Sequence, residues 1–233
     1  MQLKNKTVVI TGGSDGFGLA LAKALVAKGA LVKLIARDKI KLDQVAKQLG
    51  ANAQGFIADV SNWREIEQTA KEVGSVDVLI NNAGIWLEGD LEENSAEQIS
   101  QAIDVNFKGV VFATKAFLPS LRRSETAQII NVSSTSGLRG RNGQAVYAAS
   151  KFAVTGFTES LKADLEKTKI RVAGFYPGGM STKLFAKAGN PKDNADWMDT
   201  SKVAEIIVFM LERDLTMVMD QVVLNKRQTK ISN

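Results

Sequence analysis

The sequence predicts an α/β fold, a doubly wound parallel sheet of about seven strands with helices on both faces. Three observations carry this. Short apolar, β-branched runs alternate with longer segments whose apolar residues recur at helical spacing, the order of a parallel sheet with crossover helices. The strand runs scarcely alternate between apolar and polar, so the sheet is covered on both faces. Right-handed crossovers then leave the carboxyl ends of the strands as the place for ligands, and glycine or Asx residues follow several of those ends.

In chain order, "TVVIT" (7–11) is a β-branched strand broken by Gly12 and Gly13, and "FGLALAKALVAKG" is a helix stopped by Gly29. "LVKLIA" (31–36) reads as a strand and "IKLDQVAKQLG" as a helix ending at Gly50. "AQGFIA" (53–58), "VDVLIN" (76–81), "AQIINVS" (127–133) and "IRVAGFYP" (170–177) are further strands. Between them lie the helical "WREIEQTAKEVG", a long segment over about 95–121 and another over about 144–167. "VAEIIVFMLER" is helical and "MVMDQVVLN" is a last strand. No repeat, low-complexity tract or linker interrupts the 233 residues, which read as one domain, 1–233.

Composition narrows the chemistry. Apolar residues make up 45% and charged residues 24%, and there is no cysteine and no histidine. Disulfides, thiol nucleophiles, zinc-finger ligation and imidazole acid–base steps are excluded, and no metal site is expected. The net charge of +5 is spread over solvated faces such as "RDKIKLDQVAKQL", which argues against a nucleic-acid partner. The one local concentration, "NKRQTKISN", reads as a frayed end. No run of 18 apolar residues occurs and the N-terminus runs straight into a strand, so the expectation is a cytoplasmic protein with no membrane association.

Directly after the first strand comes "TGGSDGFG", with Gly12, Gly16 and Gly18. A glycine-rich strand-to-helix turn lets the backbone approach a pyrophosphate, and the helix N-terminus offers unpaired N–H groups. There is no Walker lysine, which disfavours an ATPase loop. A bare glycine turn fits the same residues, but the place between strand and helix favours a nucleotide. "ADV" (58–60) and "NNAG" (81–84) line the same edge: Asp59 suits an adenine amino group, and Ala83 and Gly84 admit a ribose close to the backbone. Both are also ordinary Asx turns. Farther on, Tyr147 and Lys151 stand four positions apart, so on a helix they share a face. A lysine cation beside a phenol stabilises the phenolate and lowers its pKa from about 10 toward a usable acid–base range. An amphipathic-helix tyrosine and a solvated lysine would look the same in sequence.

Taken together, "TGGSDGFG", "NNAG", "DVNFKG", "INVSSTSG", "YAASK" and "PGGMST" resemble, in order, the motifs of the short-chain dehydrogenase/reductase family, in its smaller single-domain branch. The resemblance spans nearly the whole chain. It implies a Rossmann fold with strand order 3-2-1-4-5-6-7, a nicotinamide cofactor, and reversible hydride transfer between that cofactor and an alcohol or carbonyl. It implies a catalytic group of Asn106, Ser134, Tyr147 and Lys151. Tyr147 exchanges the proton, Lys151 also holds the nicotinamide ribose, Ser134 hydrogen-bonds the substrate oxygen and Asn106 anchors a water in the proton relay. The cofactor contacts it implies are Gly12, Ser14, Asp15, Gly16, Phe17 and Gly18 in the first loop, with Arg37 after the second strand. Asp59, Val60, Asn82, Ala83 and Gly84 follow at the next strand ends. Pro177, Gly178, Met180 and Thr182 cover the nicotinamide, with Thr182 at its carboxamide.

A 2′-phosphate needs a cation, whereas a free ribose diol favours a carboxylate after the second strand. That strand ends "LIARDK", with Ala36 where NAD-using relatives carry an acid and Arg37 where NADP users carry a base, so NADP(H) is preferred over NAD(H). Asp38 could instead take the diol, and Asp15 stands at an often basic position, where it could pair with Arg37. Candidate substrate-pocket residues are Trp86, Leu138, Gln144, Met180 and Trp197, a largely apolar set suited to a carbonyl on a hydrophobic or aromatic group. The short stretch over about 183–200 predicts a small lid over a rather open pocket. The reading is an NADPH-dependent carbonyl reductase of small molecules, with an NAD-dependent alcohol dehydrogenase or a non-catalytic nucleotide sensor as alternatives. The resemblance implies a homodimer or homotetramer, the dimer packing through the two long helices. The "MDQVVLNKRQ" ending lacks the glycine-rich final turn of many relatives and speaks against their C-terminal tetramer contact.

Overall fold

Among the described residues, seven strands pair in one all-parallel sheet in the order β3-β2-β1-β4-β5-β6-β7. They are β1 Thr7–Thr11, β2 Leu31–Ala36, β3 Ala53–Ile57, β4 Val78–Asn81, β5 Gln128–Val132, β6 Arg171–Pro177 and β7 Gln221–Leu224. The helices between them are α1 Gly16–Ala27, α2 Lys39–Leu49, α3 Trp63–Val73, α4 Ala96–Ile103, α5 Gly109–Leu121, α6 Ala145–Leu165, the single turn α7 Leu184–Lys187 and α8 Thr200–Glu212. This computed structural model describes residues 1–226 apart from 195, 215 and 218; the tail read as frayed lies, from 227 onward, outside the described residues.

The scarcely alternating strands are explained by two cores. Val8 and Ile10 of β1 face one layer, where Leu21 and Leu25 of α1 meet Ile207 and Leu211 of α8. Val9, between them, faces the other layer with Leu79, Phe117 of α5, Ile129 and Leu161 of α6. Period-two orientation therefore sends neighbouring apolar residues into opposite cores, and each must be apolar. Among the described residues, no helix is long and apolar enough to cross a membrane.

A polar spine runs inside the second layer. Asn81 and Asn131 are register partners on β4 and β5, and Asn81 Nδ2 donates to Asn131 Oδ1 at 2.8 Å and to Thr114 Oγ1 of α5 at 2.9 Å. Asn131 Nδ2 donates in turn to Thr158 Oγ1 of α6 at 2.9 Å. All four residues are buried.

Two elements differ from the sequence expectation. The long segment over about 95–121 is not one helix: a π-helical turn, Asp104–Lys108, separates α4 from α5. The extra residue in that turn rotates Asn106 inward, as π insertions commonly do at functional positions. The last strand is shorter than expected, covering only Gln221–Leu224. After β6 the chain closes a small loop at its base through a bridge between Met180 and Met198, and α7 lies within that loop.

Candidate active site

The β1–α1 turn opens the site. Gly12 has φ +67° and sits so close to the β4 end that a Cβ would stand 2.9 Å from Ala83 Cα. At Gly18 a Cβ would meet Gly12 O at 2.2 Å, so the start of α1 packs directly on the loop only because both residues are glycine. Thr11 Oγ1 accepts from the N–H groups of Asn82 (3.0 Å) and Ala83 (3.1 Å), and Asn82 Nδ2 donates back to Thr11 O at 3.0 Å. "TGG" and "NNAG" are thus one hydrogen-bonded unit at the β1–β4 switch point, the crevice where open α/β sheets bind ligands. The Phe17 ring does not face this crevice; it is buried and stacked on Phe175, 6.0 Å between centroids. Val60 is likewise buried, in the second core.

Asp15 caps α1, its carboxylate accepting from Gly16 N–H at 2.7 Å, and it pairs with Lys187 of α7 at 2.8 Å. Partial burial works to raise its carboxyl, but the Lys187 and Gly16 hydrogen bonds outweigh this and hold it below the ordinary value. The pairing with Arg37 considered from sequence does not occur. Arg37 instead reaches Asp59 at 3.4 Å. Asp59 Oδ1 also accepts from Ser61 N–H (2.9 Å) and Oγ (2.7 Å). Burial pushes the Asp59 carboxyl up, and Ser61 and Arg37 together bring it below its usual range. Arg37 and Asp59 line a cavity of about 410 Å³ with Ser61, Gln101 and Val105. Ser14 lines a second cavity, about 420 Å³, with Asp15, Lys41, Lys183 and Lys187. Asp38 is engaged as the N-cap of α2, accepting from Lys41 N–H at 3.0 Å.

The four expected catalytic side chains converge at the ends of β4 and β5. Tyr147 and Lys151 lie on α6, 6% and 5% exposed, with Lys151 Nζ 5.9 Å from the Tyr147 ring centroid. One ammonium donor of Lys151 goes to Val132 O at 3.2 Å. The Ser134 hydroxyl hydrogen-bonds the Tyr147 phenol and accepts from Ser136 N–H at 3.0 Å. Asn106 clasps the Ile85 backbone, Oδ1 accepting from its N–H at 2.7 Å and Nδ2 donating to its carbonyl at 3.0 Å. Its Nδ2 also donates to Ser150 Oγ at 3.1 Å, and Ser150 donates to Tyr147 O at 2.6 Å. The proximity read from the helical spacing is present. The lowered phenol is not: burial pushes Tyr147 up to about 12 against the opposing Ser134 bond, and burial pulls Lys151 down to about 8. In so dry a place each group is driven toward its neutral form before charge pairing can act.

The substrate side is walled by rings. Trp86 lies on Tyr147 at 4.4 Å between centroids, Phe185 of α7 meets Trp86 at 4.6 Å, and Trp197 meets Phe185 at 4.9 Å. Gln144 is half-buried, its Oε1 accepting from Ser136 Oγ at 2.9 Å, while Leu138 is exposed at the rim. Thr182 lies beside the glycine loop, 3.6 Å from where a Gly16 Cβ would stand. Pro177 ends β6, and Gly178 N–H donates to Leu224 O at 2.8 Å, which ties the start of this segment to β7. In the stretch expected as a lid, Phe185 packs on Trp86 and Trp197 packs on Phe185, and Tyr147 beneath Trp86 is buried.

A family model for short chain dehydrogenases matches residues 6–193. The chain belongs to that family. An uncharacterized oxidoreductase of Staphylococcus saprophyticus is 33% identical over 226 residues, spanning 91% of this chain and 94% of the relative. Among solved structures, an alcohol dehydrogenase of Thermococcus sibiricus complexed with 5-hydroxy-NADP superposes with a TM-score of 0.88 at 28% identity, covering 95% of this chain and 96% of that one. A short-chain dehydrogenase/reductase of Burkholderia phymatum in complex with NAD gives 0.87 at 25% identity, covering 96% and 90%. As a member of this family the chain is an NAD(P)-dependent oxidoreductase.

The residues present fit the family's nicotinamide nucleotide. Gly84 leaves open a space in which a Cβ would approach Asn106 Oδ1 at 3.2 Å and Lys151 Nζ at 3.5 Å. A buried ammonium with donors directed at such a space suits a ribose diol. Five contributors escaped the sequence reading: Thr11, Ser150, Glu88, Phe185 and Lys187. Thr11 and Ser150 stand inside motifs already singled out, and their placement beside Gly12 and Lys151 was the available signal. The other three act through the folding of irregular segments, for which periodicity gives no signal.

Proposed function

We propose that this short-chain dehydrogenase is an NADPH-dependent carbonyl reductase of small hydrophobic or aromatic carbonyl compounds. The observation that carries the reading is the joined set of Ser134, Tyr147, Lys151 and Asn106 under an aromatic wall. The bound cofactor supplies the hydride. The chain's own residues do the rest: the Tyr147 hydroxyl gives a proton to the carbonyl oxygen, and the Ser134 hydroxyl steadies the charge developing there. Lys151 holds the nucleotide ribose, and its positive charge offsets part of the burial cost of the phenolate left on Tyr147. Asn106, clasping Ile85 and Ser150, keeps the far side of Lys151 polar for proton resupply. Trp86, Phe185 and Trp197 exclude water from the reacting carbonyl.

Arg37 supports NADP(H) over NAD(H). Arg37 follows directly on the end of β2, and its present partner Asp59 is partly exposed and easily exchanged. Asp38, the residue that would favour a free diol, is engaged at the α2 cap. We read the chain as one domain, working in the cytoplasm as a homodimer or homotetramer. An NADPH-oxidation screen over ketones, aldehydes, diketones and quinones tests the activity. Turnover of none of them, by a protein that binds NADPH, rejects the reductase reading.

A further inference from the structure

We propose that Glu88 is a specificity-determining residue, which neutralises Lys192 and so fits the pocket to uncharged aromatic carbonyls rather than carboxylate-bearing ones. The inference rests on the carbonyl-reductase reading for its substrates but not for its geometry. Glu88 follows β4 and collects three donors on one carboxylate. Its Oε2 accepts from Trp86 Nε1 at 3.2 Å and Asn190 Nδ2 at 2.8 Å, and its Oε1 meets Lys192 Nζ at 2.7 Å. Lys192 Nζ stands over the rings of both Trp86 (5.5 Å) and Phe185 (5.3 Å). Trp86 in turn lies on the catalytic tyrosine. The ammonium is thus one ring away from the reacting position, on the wall where the body of a substrate must lie.

Both members of the pair are partly buried, with side chains 21% and 31% exposed, so their fields reach the pocket with less screening than on an open surface. With Glu88 ionised the two charges cancel. A neutral aromatic group then meets rings and a closed ion pair. A substrate carboxylate meets the Glu88 charge and competes with it for Lys192.

Glu88→Gln separates charge from scaffolding. The glutamine keeps an amide oxygen to accept from Trp86 and Asn190 and presents an uncharged NH2 toward Lys192. Benzoylformate and its methyl ester share a skeleton and differ by that one charge. Their dissociation constants are read from tryptophan fluorescence with NADP⁺ bound, where no reduction can occur, and their kcat/KM with NADPH. In the wild type the ester binds more tightly than the acid. In E88Q the acid-to-ester affinity ratio rises at least tenfold, and in E88Q/K192M it falls back to within about threefold of wild type. A ratio in E88Q within twofold of wild type overturns the proposal, as does equal behaviour of E88Q and E88Q/K192M, or no binding of either probe to any variant. A wild type that binds both probes yet turns over neither of them nor any carbonyl of the screen sinks the reductase reading instead, and the binding ratios still decide the role of Glu88.

Discussion

Arg37→Ala is the substitution that weighs the two nicotinamide cofactors against each other. In the structure the guanidinium is 58% exposed and held by Asp59 at 3.4 Å. An exposed ion pair of this kind contributes about 0–1 kcal/mol, so turning Arg37 from Asp59 to a phosphate costs little. A charge-assisted guanidinium–phosphate contact contributes about 1.5–3 kcal/mol. The difference leaves about 0.5–3 kcal/mol of binding that depends on the 2′-phosphate, or roughly 2- to 160-fold in affinity. Titration of wild type and variant with NADPH and NADH, followed by nicotinamide fluorescence, reads this directly. NADPH weakens by that factor in Arg37→Ala, NADH by less than twofold, and unfolding stability stays within about 0.5 kcal/mol because only a surface pair is lost. Tighter NADH than NADPH binding by the wild type, or an unchanged ratio in the variant, refutes the argument from Arg37.

Tyr147→Phe removes the proton donor and little else, since the ring still packs under Trp86; turnover is abolished while cofactor affinity stays close to wild type, and more than a few per cent of residual rate rejects the role. Lys151 titrates near 8 when folded against 10.5 ordinarily, because of burial. Between those values the unfolded chain binds more protons, so the wild type gains stability relative to Lys151→Met as pH rises from 8 to 10, by roughly 1–3 kcal/mol. Denaturant unfolding at the two pH values measures it, and a gap that widens in the opposite direction contradicts the buried lysine. Thr11→Val strips the acceptor from the Asn82 and Ala83 N–H groups. A loss of about 2 kcal/mol in urea unfolding is expected, with weaker nucleotide binding beside it.

Where the sequence was legible, the reason was periodicity or chain-local geometry. β2 runs over Leu31–Ala36 and α3 begins at Trp63, as read, because β-branched runs and glycine stops are local signals. The Tyr147–Lys151 neighbourhood followed from helical spacing alone. Its electrostatics did not, since the shifts come from burial in the folded protein, which no four-residue pattern records. The π turn was hidden because "AIDVNFKG" keeps a helical composition through the inserted residue, so Asn106 could be noticed as a polar residue but not aimed. Asp15 and Arg37 were close enough in sequence logic to suggest each other. Each was instead taken by a partner from another segment, Lys187 and Asp59. The lid's aromatic and charged contacts depend on an irregular loop, and only its position between Thr182 and Thr200 could be read.

The buried polar spine of Asn81, Asn131, Thr114 and Thr158 bears on how reliably this site assembles. Apolar strands such as "VLIN" and "QIINV" could slide past each other at small loss, since nearly any offset still pairs Leu, Ile and Val. A slip of one residue in either strand turns its asparagine toward the opposite core, breaking the amide–amide bond and that asparagine's bond to its threonine. At about 1–3 kcal/mol for each stranded group, the misaligned sheet is heavily penalised. Asn82 follows the first of these asparagines directly, and Ser134 comes three residues after the second. The chemistry at the strand ends therefore inherits its alignment from an error check made deeper in the protein, where no substrate reaches.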